Sequence, residues 1–147
     1  MTSFAIATQI LQDGPRNTTA KVTGDVATLP TAVTILDPAL LTDMNPGMSG
    51  THLATLLRVD EIQYSITDGV IVQLLWDATT FVPIVELYGR GTIKAKDFGG
   101  LQNNAGAGVT GKILLSALAS GAASPTDSSI LLILNTVKFR PLSVGGA

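Results

Sequence analysis

IQYSITDGVIVQLLW, residues 62 to 76, is the stretch whose reading decides the fold class of this chain. On either side of Thr67-Asp68-Gly69, apolar and polar residues alternate with the period of two that belongs to a half-buried strand. Ile62, Tyr64 and Ile66 share one face of the first arm; Val70, Val72, Leu74 and Trp76 share one face of the second. If the arms form a hairpin, loop length sets the register, and a slip of one residue turns every side chain over. A two-residue loop at Asp68-Gly69 pairs Ile66 with Ile71 and sets Tyr64 against Gln73, which mixes the faces. A three-residue loop pairs Ile66 with Val70, Tyr64 with Val72 and Ile62 with Leu74, and the apolar rows coincide. The pattern therefore predicts a three-residue hairpin with Gly69 in the left-handed conformation. The other face carries Glu61, Gln63, Ser65 and Gln73, interrupted by Ile71 and Leu75. Those two apolar residues predict that this face, too, is partly covered.

The same texture extends in both directions. Runs rich in Val, Ile and Thr between turn residues predict strands near 4–12, 18–23, 31–36, 53–66, 70–77, 83–89, 91–96, 112–118 and 129–139. Short strands without intervening amphipathic helices indicate a sandwich or barrel. DPALLTDM (37–44) has an N-capping Asp and a Pro at the first helical position, so a single turn is expected there, ended by Asn45-Pro46-Gly47. KILLSALASGAAS (112–124) could be helical from its Ala-rich second half, but Gly121 and the serines favour strand. DFGGLQNNAGAGVTG (97–111) reads as a long Gly- and Asn-rich loop, a length that usually carries a function or an interaction. With 147 residues, the chain fits a single β-sandwich domain spanning 1–147, with a flexible C-terminal tail over about 141–147 ending Gly145-Gly146-Ala147.

Composition narrows the chemistry. The chain has no Cys, which removes disulfides and thiolate chemistry, and His52 is its one imidazole. No basic stretch precedes the apolar residues at the Met1 end, and no apolar run approaches the roughly 18 residues of a spanning helix, so a soluble chain without a secretory signal is expected. Charged residues make up 14% of the chain, against about 25% in a typical soluble domain. Hydrophobic residues reach 46%, and the mean hydropathy is +0.40. Either small neutral residues cover the exterior, or part of it is buried against other subunits. A net charge of −2 with scattered Lys and Arg lacks the footprint of a nucleic-acid binder.

Several short motifs imitate catalytic ones. GAGVTGK (106–112) approaches a P-loop, but the position that should hold Mg²⁺ with a hydroxyl is Ile113, and loop precedes the motif where a strand should. Asp97-Phe98-Gly99 matches a kinase triplet without the rest of a kinase. Gly47-Met48-Ser49-Gly50 misses the nucleophile elbow by one residue, and the spacing suggests no carboxylate to orient a Ser49–His52 pair. Asp60 and Glu61, as neighbours on a strand, are expected on opposite faces and so not as one acid/base pair. Asn17-Thr18-Thr19 fits a glycosylation sequon, idle without a secretory signal. Trp76 is expected in the core, with Tyr88 a possible interface anchor. No catalytic, cofactor-binding or metal-ligating residue is assigned, and no cofactor is expected.

The run RVDEIQYSITDGVIVQLLWDATTFVPIVELYGRGTIKAKDFGGLQNNAGAGVTGKILL (58–115), followed by SSILLILNTVKFRP, resembles small virion structural proteins of tailed bacteriophages and related prophages. The likeness spans about residues 8 to 140, and LLWDAT (74–79) and FGGLQNNAGAGVTGKILL (98–115) are its most specific parts. It implies a β-rich protein incorporated into the particle and transfers no catalytic residue. Together with the strand pattern it leads to the following expectation. The chain is a jelly-roll-like antiparallel β-sandwich that self-associates as a trimer or ring. It docks on the major capsid protein or other virion proteins as a decoration or cement protein, after assembly in the host cytoplasm, with neither nucleic acid nor membrane as partner. The alternatives are a tail or neck component, a virion receptor- or carbohydrate-binding module, and a small hydrolase.

Overall fold

A computed structural model describes residues 6–25, 32–45, 47, 49–50, 52–67, 69–119 and 129–139. The tail expected over 141–147 lies outside them. The described residues are all-β, with nine strands: β1 (Ala7–Asp13), β2 (Asn17–Asp25), β3 (Val33–Leu36), β4 (Leu56–Ile66), β5 (Val70–Trp76), β6 (Val82–Tyr88), β7 (Arg90–Lys94), β8 (Ile113–Ala119) and β9 (Ser129–Phe139). Each falls where a run of β-branched and apolar residues predicts it. The segment from Lys112 to Ser124 begins as strand β8, not helix. The single turn expected after Asp37 is a 3-10 turn over Pro38–Leu40; the Asp37 side chain accepts from the Ala39 amide at 3.0 Å.

The strands form two antiparallel sheets, β1-β2-β9-β4-β7 and β3-β8-β5-β6. Within them β2 pairs β9, β3 pairs β8, β4 pairs β7 and β5 pairs β6, so the chain from β2 onward is one long hairpin whose tip joins β5 to β6. Rolling that hairpin brings β4 against β9 and β5 against β8. The result, 2-9-4-7 facing 3-8-5-6, is a jelly roll, with β1 added at one edge.

One expectation is overturned. The arms flanking Thr67-Asp68-Gly69 are not a hairpin: β4 lies in the five-stranded sheet and β5 in the four-stranded one. The chain crosses between sheets at this point, with the Thr67 amide bonded to Ser129 O at 3.2 Å and the Ile66 amide to Gly89 O at 2.8 Å. Gly69 does adopt a positive φ, 89°. The apolar rows coincide because they meet face to face across the core. Ile62 and Ile66 point inward from one sheet and Val70, Val72, Leu74 and Trp76 from the other, all buried. Strands side by side and strands in facing layers both demand matching apolar rows, so alternation alone does not distinguish them.

Ala20, Val22, Ile130, Leu132 and Leu134 extend the five-stranded half of this core, and Ile113, Leu115, Ala117 and Leu87 the four-stranded half. Burying each large aliphatic side chain stabilises the fold by about 1.5–3 kcal/mol. Trp76, 1% exposed, is core as expected. Leu75 points away from the core yet is buried with its cross-strand neighbour Leu114, which accounts for part of the apolar outer face.

The inward row of β9 ends in Lys138, whose side chain is 0% exposed. Its ammonium donates to Asp13 Oδ1 at 2.6 Å, Gly14 O at 2.6 Å and Thr42 O at 2.8 Å, so all its N–H bonds are used. Asp13 also accepts from the Thr42 amide at 2.8 Å and the Thr18 hydroxyl at 3.2 Å. Burial pulls the Asp13 pKa up, but the Lys138 and Thr42 hydrogen bonds outweigh it and hold the carboxyl below its ordinary 3.8.

Candidate functional site

The outer face of the five-stranded sheet carries a polar groove of about 280 Å³, and two β-bulges make it. On β4, Val59 pairs with Thr136 and Glu61 with Asn135, leaving Asp60 as an extra residue. On β1, Ile10 pairs with Ala20 and Gln12 with Thr19, leaving Leu11 extra. Thr19 in turn pairs with Asn135, so both bulges border the same rung. A bulge advances the side-chain alternation by one residue. Without it, the inward Val59 would place Glu61 inward and Ile62 outward. With it, Ile62 is buried and Glu61 joins the outer face; the bulge at Leu11 brings Gln12 out in the same way.

The expectation that Asp60 and Glu61 lie on opposite faces is therefore corrected: both line this groove. The period-two rule holds only for an unbroken strand. A sign of the bulge is present in the sequence. Leu57 and Val59 point inward at odd positions, while Ile62, Tyr64 and Ile66 do so at even ones, and that change of parity requires an extra residue between 59 and 62.

Along the rung, the Thr19 hydroxyl donates to Asn135 Oδ1 at 2.8 Å, and Asn135 Nδ2 donates to Glu61 Oε2 at 3.0 Å. This chain fixes which way the Asn135 amide faces. Both Asp60 oxygens are taken by Arg58, from Nε at 2.7 Å and Nη2 at 3.1 Å. The Asp60 hydrogen bond raises the Arg58 pKa further, against the effect of burial. The guanidinium lies 5.5 Å from the centroid of the Phe139 ring, within cation–π range. Lys96, on the 3-10 turn Ala95–Phe98, and Asn17, at the start of β2, also line the groove. Among the described residues the Gln12, Asn17 and Lys96 side chains and Glu61 Oε1 have no hydrogen-bond partner within the chain.

The catalytic look-alikes resolve into structure. GAGVTGK is the second half of a loop laid against the β5–β6 connection. Thr79 N donates to Ala107 O at 3.1 Å, Thr110 N to Asp77 O at 3.1 Å, and the Thr110 hydroxyl to Asp77 Oδ2 at 2.7 Å. A strand, β8, follows it instead of a helix. Gly111 has φ 84°, and a Cβ there would run into the Thr55 carbonyl, so close approach and not phosphate accounts for the glycine. Asp97-Phe98-Gly99 closes the turn Ala95–Phe98, Gly99 being its left-handed cap.

Beside His52 there is a carboxylate that spacing alone did not suggest, Asp43. Its oxygens accept from the His52 and Asn45 amides, each at 2.7 Å, while His52 Nδ1 lies 4.0 Å away, beyond hydrogen-bond reach. Ser49 makes no hydrogen bond with His52 among the described residues. The group therefore orders a turn and lacks triad geometry. Among the described residues no three His, Asp or Glu side chains are grouped to hold a metal.

No family model, no curated protein and no solved structure matches this chain. The geometry of the two outer faces is therefore what bears on function.

Proposed function

We propose that this chain is a non-enzymatic structural protein of a bacteriophage particle, which self-associates and docks on the capsid shell as a decoration or cement protein. The observation that carries self-association is an apolar row across the outer face of the four-stranded sheet. Leu118 and Tyr88 stand on either side of Ile71, paired with it across both neighbouring strands, and are 51% and 56% exposed. Large apolar side chains side by side on a rigid sheet favour a partner that removes them from water, at roughly 25 cal/mol per Å² before association costs. A chain with 14% charged residues offers little like-charge repulsion to oppose it. The particle assignment draws on the resemblance of residues 58–115 to virion structural proteins. It also draws on the recurrence of the jelly roll in viral capsid domains, which is an analogy of fold.

Sedimentation of the full chain is the test, alone and mixed with purified phage capsids. A trimer or larger ring that co-sediments with capsids is expected, and co-sedimentation with isolated tails instead would transfer the role to the tail or neck. A strict monomer at high micromolar concentration that pellets with neither ends the proposal. The groove on the opposite side of the sandwich favours a second reading, a carbohydrate-binding module on the particle.

A further inference from the structure

We infer that the groove between the two bulges is a binding site for an uncharged saccharide, with Glu61, Asn135, Gln12 and Lys96 as its contact residues. This goes beyond the structural role proposed above and stands or falls separately from it.

The inference starts from how the groove is made. A bulge interrupts the hydrogen-bond ladder, and two of them border one rung of a five-stranded sheet, each turning a polar side chain out onto the same face. Bulges are concentrated next to sites where a strand must re-aim a side chain. The bulge on β4 also keeps Ile62 in the core, so what marks the groove is that a second bulge, on β1, borders the same rung and that both deliver a polar residue, Gln12 and Glu61, to one face. The rung they join is held in place by the Thr19–Asn135–Glu61 hydrogen bonds on rigid strands, the support a recognition site requires.

The unused hydrogen-bonding capacity then selects the ligand. Glu61 Oε1 accepts only, the Lys96 ammonium donates only, and the Gln12 and Asn17 amides do both. A phosphate or other anion would meet the Asp60 and Glu61 carboxylates. A small cation would find one available carboxylate oxygen facing ammonium and amide donors. A hydroxyl group both donates and accepts, and neighbouring hydroxyls on a sugar ring present both functions at once, which matches acceptors and donors interleaved in one shallow groove. Net charge in the lining is small, since Asp60 is neutralised by Arg58 and Glu61 lies across from Lys94 and near Lys96. That favours a neutral sugar over a sialylated or sulfated one. The volume of about 280 Å³ suits one or two sugar units, at the small end of ligand sites.

The test uses the full chain on an array of neutral and acidic glycans. The best-retained neutral glycan is then titrated by NMR, with the Gln12, Asn17 and Asn135 side-chain amides as reporters. Binding in the millimolar range, shifts confined to those amides, and a loss of tenfold or more in Glu61→Ala are expected. Gln12→Ala, at the sheet edge where folding is least exposed to change, is expected to weaken binding several-fold, and Glu86→Ala, exposed on β6 of the other sheet, to leave it unchanged. The inference is overturned if the array retains no neutral glycan, if only acidic glycans bind, or if a bound glycan is indifferent to both Glu61→Ala and Gln12→Ala. A monomeric chain that binds the sugar would remove the proposed assembly and leave this site standing.

Discussion

Two polar clusters sit back to back on β1, β2 and β9, and they differ in whether their hydrogen bonds are complete. On the inner side, Asp13, Thr18 and Lys138 meet Thr42, and each Lys138 N–H has an acceptor. On the outer side, one residue along the same strands in β1 and β2, Gln12 and Thr19 join Asn135 and Glu61 with donors and acceptors to spare. A buried charge is tolerated only when paired and hydrogen-bonded, so the inner cluster must be closed and is structural. The outer cluster faces water and can remain open at little cost, which is the condition for taking up a ligand.

The largest effect expected from breaking this contrast is on the inner side. Asp13→Ala leaves an ammonium buried with two carbonyl partners and should destabilise the fold by about 3–5 kcal/mol in urea unfolding. Pairing it with Lys138→Met should recover much of that loss, since neither charge then remains buried. Full stability in the single variant would mean that Lys138 reaches water.

Acid titration sharpens the same point. The Asp13 pKa is lower folded than unfolded, so its contribution is complete above the unfolded value of about 3.8 and is lost as pH falls below that, through the folded value. The midpoint of unfolding should therefore drop below pH 4 in the native chain. In Asp13→Ala/Lys138→Met that part of the acid dependence should be missing.

On the four-stranded sheet, Leu118→Asp places a charge in the exposed apolar row and should lower the sedimenting mass toward that of a monomer. Its effect on the melting temperature should be small, because Leu118 is half exposed. An unchanged oligomer would move the contact to another face.

The smallest change expected is in stability on the open groove. Gln12→Ala and Glu61→Ala should each shift unfolding by about 1 kcal/mol or less, because the Gln12 side chain is exposed and makes no hydrogen bond among the described residues, and the half-buried Glu61 loses a single one whose net contribution is modest. A loss of several kcal/mol in either variant would make the outer cluster as structural as the inner one and erase the contrast.

Much of this architecture is legible in the chain, for a local reason. Strand positions follow from β-branched runs between Gly, Pro and Asn. The inward residues of β5 follow from strict alternation, and Trp76 falls in the core for that cause. Lys138 is less legible, although it continues the inward series Ile130, Leu132, Leu134 and Thr136. A lysine in that series calls for a partner, but Asp13 lies 125 residues away, and nothing local pairs them. Simple alternation places Asp60 and Glu61 on opposite faces, and it fails there because the parity of β4 changes midway.

By itself the sequence determined which segments extend and which of their side chains seek the interior, since both are set by the side chains and their immediate neighbours. Only the tertiary structure decided whether β5 lies beside β4 or across from it, and where the ladder skips a residue to bring Gln12 and Glu61 onto one rung. Those outcomes depend on strands distant in the chain, through packing that a period of two leaves open: it tells a side chain which way to face, and says nothing of what it will meet there.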